Sequence, residues 1–172
     1  MIWSQIWKFA VATTLVLAAG TASARESRVA IALFGPHPSL QETVEGFKQQ
    51  LAAEGIIARY DESHVNFDRS LVPQLLNRLA AASPDMMLTI TTPVTQSARQ
   101  ILARRTFPIV FAPVTDPVKA RLLPSWDRAA PLMPGASHVP DFAATLEVMR
   151  RLVPRMTRVG ILYNTGDDSD TA

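Results

Sequence analysis

The 172-residue chain contains no cysteine. That excludes a disulfide scaffold, a thiolate metal site, a cysteine nucleophile and a lipidated N-terminal cysteine. Its seven glycines do not cluster. No G-x-G-x-x-G or G-x-x-x-x-G-K follows a strand-like run, which argues against the usual nucleotide sites of α/β proteins. A G-x-S-x-G elbow is also missing, which excludes an α/β-hydrolase. The three histidines, His37, His64 and His138, stand apart from one another without metal-site spacing, so no metal and no cofactor is expected. Basic and acidic residues nearly cancel, 17 against 15. A net charge of +2 is too small to imply a nucleic-acid partner. What is present is globular: 48% of residues are hydrophobic and 19% charged.

The first 24 residues read as an address. One charge, Lys8, precedes the apolar run at residues 9–19 (FAVATTLVLAA), and Thr21-Ala22-Ser23-Ala24 supplies small residues at the cleavage positions. This is the pattern of a secretory signal peptide, with cleavage after Ala24. The run has eleven residues, far fewer than the ~20 that span a bilayer. With no cysteine to carry a lipid, a periplasmic location free of the membrane is expected.

Beyond the leader, strand and helix signals alternate. Residues 28–34 (RVAIALF) form a continuous apolar run bounded by Gly35-Pro36, as suits a strand buried on both faces. Ser39 with Glu42 three residues later predicts a capping box, followed by Leu40, Val44, Phe47 and Leu51 as one helical stripe ending at Gly55. Residues 56–60 are a more polar strand, nearer an edge. Ser70 predicts the cap of a helix through residue 82, with Leu71, Leu75, Leu76 and Leu79 inward. Residues 86–90 form a third strand. Thr92-Pro93 predicts a capped helix start, and that helix runs to about residue 104. Residues 108–114 form a fourth strand, 119–126 a short helix and 136–139 a short fifth strand. Asp141 predicts the cap of a last helix with Phe142, Leu146, Met149 and Val153 inward, and residues 158–163 another strand. Such alternation specifies an α/β fold with a doubly wound parallel sheet.

In open parallel sheets ligands sit at the C-terminal ends of the strands. Reading along that edge gives His37 after the first strand, Thr91 and Thr92 after the third, and Thr115 and Asp116 after the fourth. Ser137 follows the fifth, with Tyr163 and Asn164 after the last. Hydroxyls and helix-start amides can hold a carboxylate, and Asp116 can accept from an ammonium group. Together these residues suit a zwitterion. Each also has a plainer role: Thr92 as a cap, Asp116-Pro117 as a turn, Tyr163 as a strand end.

Several blocks carry a resemblance. Gly46-Phe47, Pro84-Asp85 and Thr92-Pro93 with Gln96 come first. The runs Pro108-Ile109-Val110-Phe111 and Val114-Thr115-Asp116-Pro117-Val118 follow, then Pro154 and Arg158-Val159-Gly160-Ile161-Leu162-Tyr163-Asn164. In these the chain resembles the substrate-binding protein family of ABC transporters, whose members include aromatic-amino-acid binders. The resemblance covers roughly residues 28–166. It departs at Gly135-Ala136, where members often have Thr-Gly, and at Thr165-Gly166-Asp167, where they often have Pro-Gly-Glu. It implies a periplasmic binding protein-like fold of two lobes with ligand trapped between them. It further implies delivery of an amino-acid-like solute to an ABC permease in the inner membrane, without chemistry on it. The expected organisation is a signal peptide at 1–24, an incomplete first lobe at 25–140, and at 141–172 a crossover helix with the first strand of a missing second lobe. A ligand-sensing module that signals to a membrane partner is the alternative. An enzyme using Asp116 with Thr91 or Thr92 would lack a base, a metal and an oxyanion arrangement.

Overall fold

The computed structural model describes residues 25–161 apart from residue 129. The expected signal segment, Tyr163 and Asn164 lie outside the described residues. Five strands form one parallel sheet in the order β2-β1-β3-β4-β5. They are β1 (Ser27–Leu33), β2 (Ala58–His64), β3 (Met86–Ile90), β4 (Ile109–Val114) and β5 (Gly135–Ser137). The helices are α1 (Pro38–Ala53), α2 (Val72–Ala81), α3 (Thr92–Ile101) and α4 (Phe142–Leu152), with a 3-10 turn at Arg69–Leu71 ahead of α2.

The central strands are apolar on both faces because both faces are covered. Val29, Ile31, Leu33, Leu88 and Ile90 pack under α1 with Val44. Ala30, Ala32, Met87, Ile109 and Phe111 pack on the other face with Leu75, Leu76 and Leu79 of α2 and Val94 and Ala98 of α3. This is the doubly wound α/β arrangement. β2 takes the edge, as its polarity predicts, although it starts two residues later and leaves Ile56 and Ile57 exposed. α1 ends as predicted: Gly55 sits at φ 73°, its N–H donates to the Ala52 carbonyl, and the Ile56 N–H donates to the Leu51 carbonyl. Both bonds satisfy carbonyls of the last turn, and the left-handed position suits glycine.

Several expectations are corrected. His37, not Ser39, caps α1, because Pro38 already occupies the first helical position. Asp68, not Ser70, caps the turn before α2, accepting from the Ser70 N–H and hydroxyl. Val72 rather than Leu71 is buried there. No helix forms over 119–126: Pro124 lies within the segment, and Arg121 takes a left-handed φ of 58° that breaks a helical run. α4 forms where expected, with Asp141 accepting from the Ala144 N–H. Its stripe is not inward, however: Phe142, Leu146, Met149 and Val153 are all exposed, and no described element buries them. Residues 158–161 carry no strand, and the rest of the strand expected over 158–163 lies outside the described residues. Among the described residues no helix is long and apolar enough to cross a membrane.

Candidate functional site at the C-terminal sheet edge

α1 leaves β1 toward one face and α3 leaves β3 toward the other. Where neighbouring strands send their helices to opposite faces, a crevice opens beyond their C-terminal ends. In this sheet that point lies between β1 and β3, so His37 and Thr91 flank it.

His37 caps α1 through its ring: Nδ1 lies 2.9 Å from Ser39 Oγ and accepts from the Ser39 N–H at 3.3 Å. The ring is exposed, and one of its nitrogens is committed to holding the helix start.

Thr91 is the unusual residue. It precedes α3 at φ 86°, ψ 156°, a backbone region that a β-branched residue rarely adopts. Thr92 is therefore the first residue of the helix rather than its cap, and Thr91 makes no side-chain capping bond. The Thr91 hydroxyl is buried with no hydrogen-bond partner. Its carbonyl is fixed twice over, by the Thr95 N–H at 3.1 Å and the Thr95 hydroxyl at 2.8 Å. The Thr95 hydroxyl in turn lies 3.0 Å from that of Thr89, both residues being fully buried. Thr95 donates to Thr91, and the Thr89 hydroxyl lies between Thr95 and the Val110 carbonyl, to which it donates at 3.4 Å. This chain of hydroxyls clamps the backbone of Thr91 and leaves its side-chain oxygen unspent. The first turn of α3 adds N–H groups with no helical acceptor, those of Thr92 and Val94, Pro93 having none.

One strand further on, Asp116 is half-buried and its Oδ1 accepts from the N–H groups of Val118 and Lys119, each at 2.9 Å. The turn reading of Asp116-Pro117 is thus realised. Thr115 lies beside it, half-buried. Ser137, exposed at the end of β5, pairs with Val114. Adjacent strands are about 4.8 Å apart. Ile90 and Ala112 are register partners, so Thr115 and Asp116 lie two and three residues beyond the level of Thr91 on the neighbouring strand, while Ser137 stands about two strand spacings from Thr91.

Sequence reasoning missed three contributors. Thr89 and Thr95 act through buried contacts that no motif announces. Phe67 lies beyond β2 with its ring edge-on to Phe34, centroids 5.9 Å apart, and against Gly35. A turn at Asn66-Phe67 was the only available signal.

The edge is an open wall. Concavities lie elsewhere: one of about 530 Å3 beside Arg28, Arg59 and Pro84, and one of about 450 Å3 between α3 and Arg121. No cluster among the described residues could hold a metal ion. The chemistry on offer is hydrogen bonding to a polar ligand.

Comparison with known proteins extends this picture. A family model described as ABC transporter substrate binding protein matches residues 28–172. The chain is 27% identical over 151 residues to the tyrosine-binding protein of Clostridioides difficile (strain R20291), covering 86% of this chain and 43% of that protein. Among solved structures it is similar to the ABC domain in complex with L-Trp from Streptococcus pneumonia, with 25% identity and a TM-score of 0.77. That match covers 85% of this chain and 50% of the other. A conserved domain protein from Vibrio cholerae O1 biovar eltor is equally similar, at 25% identity and TM-score 0.77, over 86% of this chain and 50% of that one. The chain spans about half the length of these relatives.

Proposed function

The chain belongs to the ABC transporter substrate-binding protein family, and from that premise we propose that it captures an amino-acid-like zwitterion for import. The observation that carries the reading is Thr91: a strained residue where β1 and β3 send their helices to opposite faces, whose buried hydroxyl has no partner. Buried polar groups in native proteins are almost always bonded, and an orphan at this strand edge supports a ligand contact. The ligand's carboxylate accepts from the Thr91 hydroxyl and from the free N–H groups of α3, where the helix dipole favours negative charge. Its ammonium group donates to the remaining oxygen of Asp116, with Thr115 alongside. His37 and Ser137 line the rim.

In this reading residues 1–24 export the chain to the periplasm, residues 25–140 form the first lobe and residues 141–172 lead toward a second. The ligand, in this reading, passes to an ABC permease in the inner membrane unaltered. The names of the relatives, a tyrosine-binding protein and a domain bound to L-Trp, support an amino acid as ligand.

Two measurements test this. In ligand-observed NMR with the purified chain, an L-amino acid should give saturation transfer that is lost when its carboxylate is amidated or its amine acetylated. In cells, deleting the gene should lower uptake of the same labelled amino acid. Binding that ignores both end groups would overturn the zwitterion, and unchanged uptake would overturn import in favour of ligand sensing.

A further inference from the structure

Building on the ligand-binding reading above, we infer that Phe67 is the shelf against which the ligand's side chain packs, selecting a planar apolar group. Asn66 and Phe67 both occupy the left-handed region, at φ 51° and 65°. Asparagine enters that region readily, phenylalanine does not. The strain is not repaid by burial, because the Phe67 side chain is left 51% exposed. Yet the residue is held firmly. Its N–H donates to the Phe34 carbonyl at 2.7 Å, and the next N–H, of Asp68, donates to the Val65 carbonyl at 2.9 Å. Phe34 meets the ring edge-on at an interplanar angle of 84°. The ring lies so close over Gly35 that a Cβ there would collide with it.

A large aromatic ring, strained in its backbone, fixed in place and half open to solvent, is what a binding surface requires and folding alone does not. Its location fits the same purpose. Leu33 and His64 are register partners, so β1 and β2 end level with each other. The loop after β2 therefore reaches over the end of β1 onto Gly35, two residues before His37. β1 lies between β2 and β3, so Gly35, against which the ring rests, is about one strand spacing, 4.8 Å, from the polar groups on β3. An aromatic partner gains from such a ring through offset or edge-on stacking beyond simple area burial.

Saturation-transfer NMR on the purified chain with glycine, L-leucine, L-phenylalanine and L-tryptophan tests the assignment. The two aromatic amino acids should bind about tenfold more tightly than leucine. Phe67→Ala should erase that preference and leave glycine unchanged, while Phe67→Tyr should keep it. Phe67→Leu, which retains an apolar contact to Phe34, should lose the preference without disturbing the fold. An aromatic preference that survives in both the alanine and leucine variants would overturn the role of Phe67 alone. Glycine and leucine binding with no aromatic gain in the unaltered chain would do the same. If none of the four binds, the ligand-binding reading falls and this inference with it.

Discussion

Arg28 and Asp85 hold each other through two reciprocal bonds at the start of β1 and β3. The Arg28 N–H donates to Asp85 Oδ2 at 2.7 Å, and the Asp85 N–H donates to the Arg28 carbonyl at 2.8 Å. The Arg25 guanidinium adds an ion pair at 3.0 Å. The backbone bond from Arg28 foremost, and the charges of Arg25 and Arg28 with it, hold the Asp85 carboxyl below its ordinary value. A group whose pKa is lower in the folded state stabilises the fold above its unfolded pKa of about 4 and ceases to do so as pH falls through the folded value. The thermal midpoint should therefore fall with acidification below about pH 4, and Asp85→Asn should flatten that limb while matching it less at neutral pH. An Asp85→Asn acid limb superimposable on the original would remove Asp85 as its source.

Gly135 touches the core through what it lacks. A Cβ there would collide with the ring of Phe111, which is 1% exposed on the neighbouring β4. Gly135→Ala should cost about 1–3 kcal/mol through overpacking. Combined with Phe111→Leu, the cost of the alanine should largely vanish in a double-mutant cycle by urea denaturation. Additive losses would mean that β5 simply moves aside.

The strands were legible because burial on both faces writes itself as an apolar run: 28–34, 86–90 and 108–114 all became strands. Helix stripes were legible where the sheet covers them, as with Leu75, Leu76 and Leu79, and misleading in α4, where no described element does. Caps slipped by one or two residues, since Ser39, Ser70 and Thr92 each stand beside another competent residue. Proline position and backbone geometry, rather than side-chain chemistry, decided between them. The site divided in the same way. His37, Thr91, Thr92, Thr115, Asp116 and Ser137 could be placed along one edge because topology sends strand ends there. Thr89 and Thr95 meet through the turn between β3 and α3, and Phe67 meets Phe34 across the edge of the sheet, neither of which periodicity reveals.

Thr91 offers a case in which stability and binding should move in opposite directions. Thr91→Val keeps the shape and backbone strain but removes a buried hydroxyl that has no partner. That should stabilise the free protein by about 1 kcal/mol, because an unsatisfied buried polar group is costly. The same change should weaken amino-acid binding, since the hydroxyl is the proposed donor to the carboxylate. A less stable valine variant would show that the hydroxyl already has a partner in the folded state.

Asp116 should separate turn from ligand contact. Its Oδ1 accepts from Val118 and Lys119 N–H groups, so Asp116→Asn, which keeps an acceptor oxygen, should preserve much of the turn. It removes the charge proposed to face the ligand's ammonium group, and binding of an amino acid should weaken more than binding of its deaminated acid. Equal weakening of both ligands in NMR titrations would restrict Asp116 to the turn.

The last expectation concerns the strength of binding by this chain alone. Its candidate site is an open edge, and the relatives with which it aligns are about twice as long. One wall leaves each ion pair in water, where such a pair contributes about 0–1 kcal/mol. Closure between two lobes would exclude that water and strengthen every polar contact. A ligand present at its own dissociation constant stabilises by only about 0.4 kcal/mol, against about 2.7 kcal/mol at a hundredfold excess. Millimolar amino acid should therefore leave the thermal midpoint unmoved even where NMR detects contact. A shift of several degrees with any one of the twenty amino acids would show that the single wall, with Thr91, Asp116 and Phe67, is sufficient for tight capture.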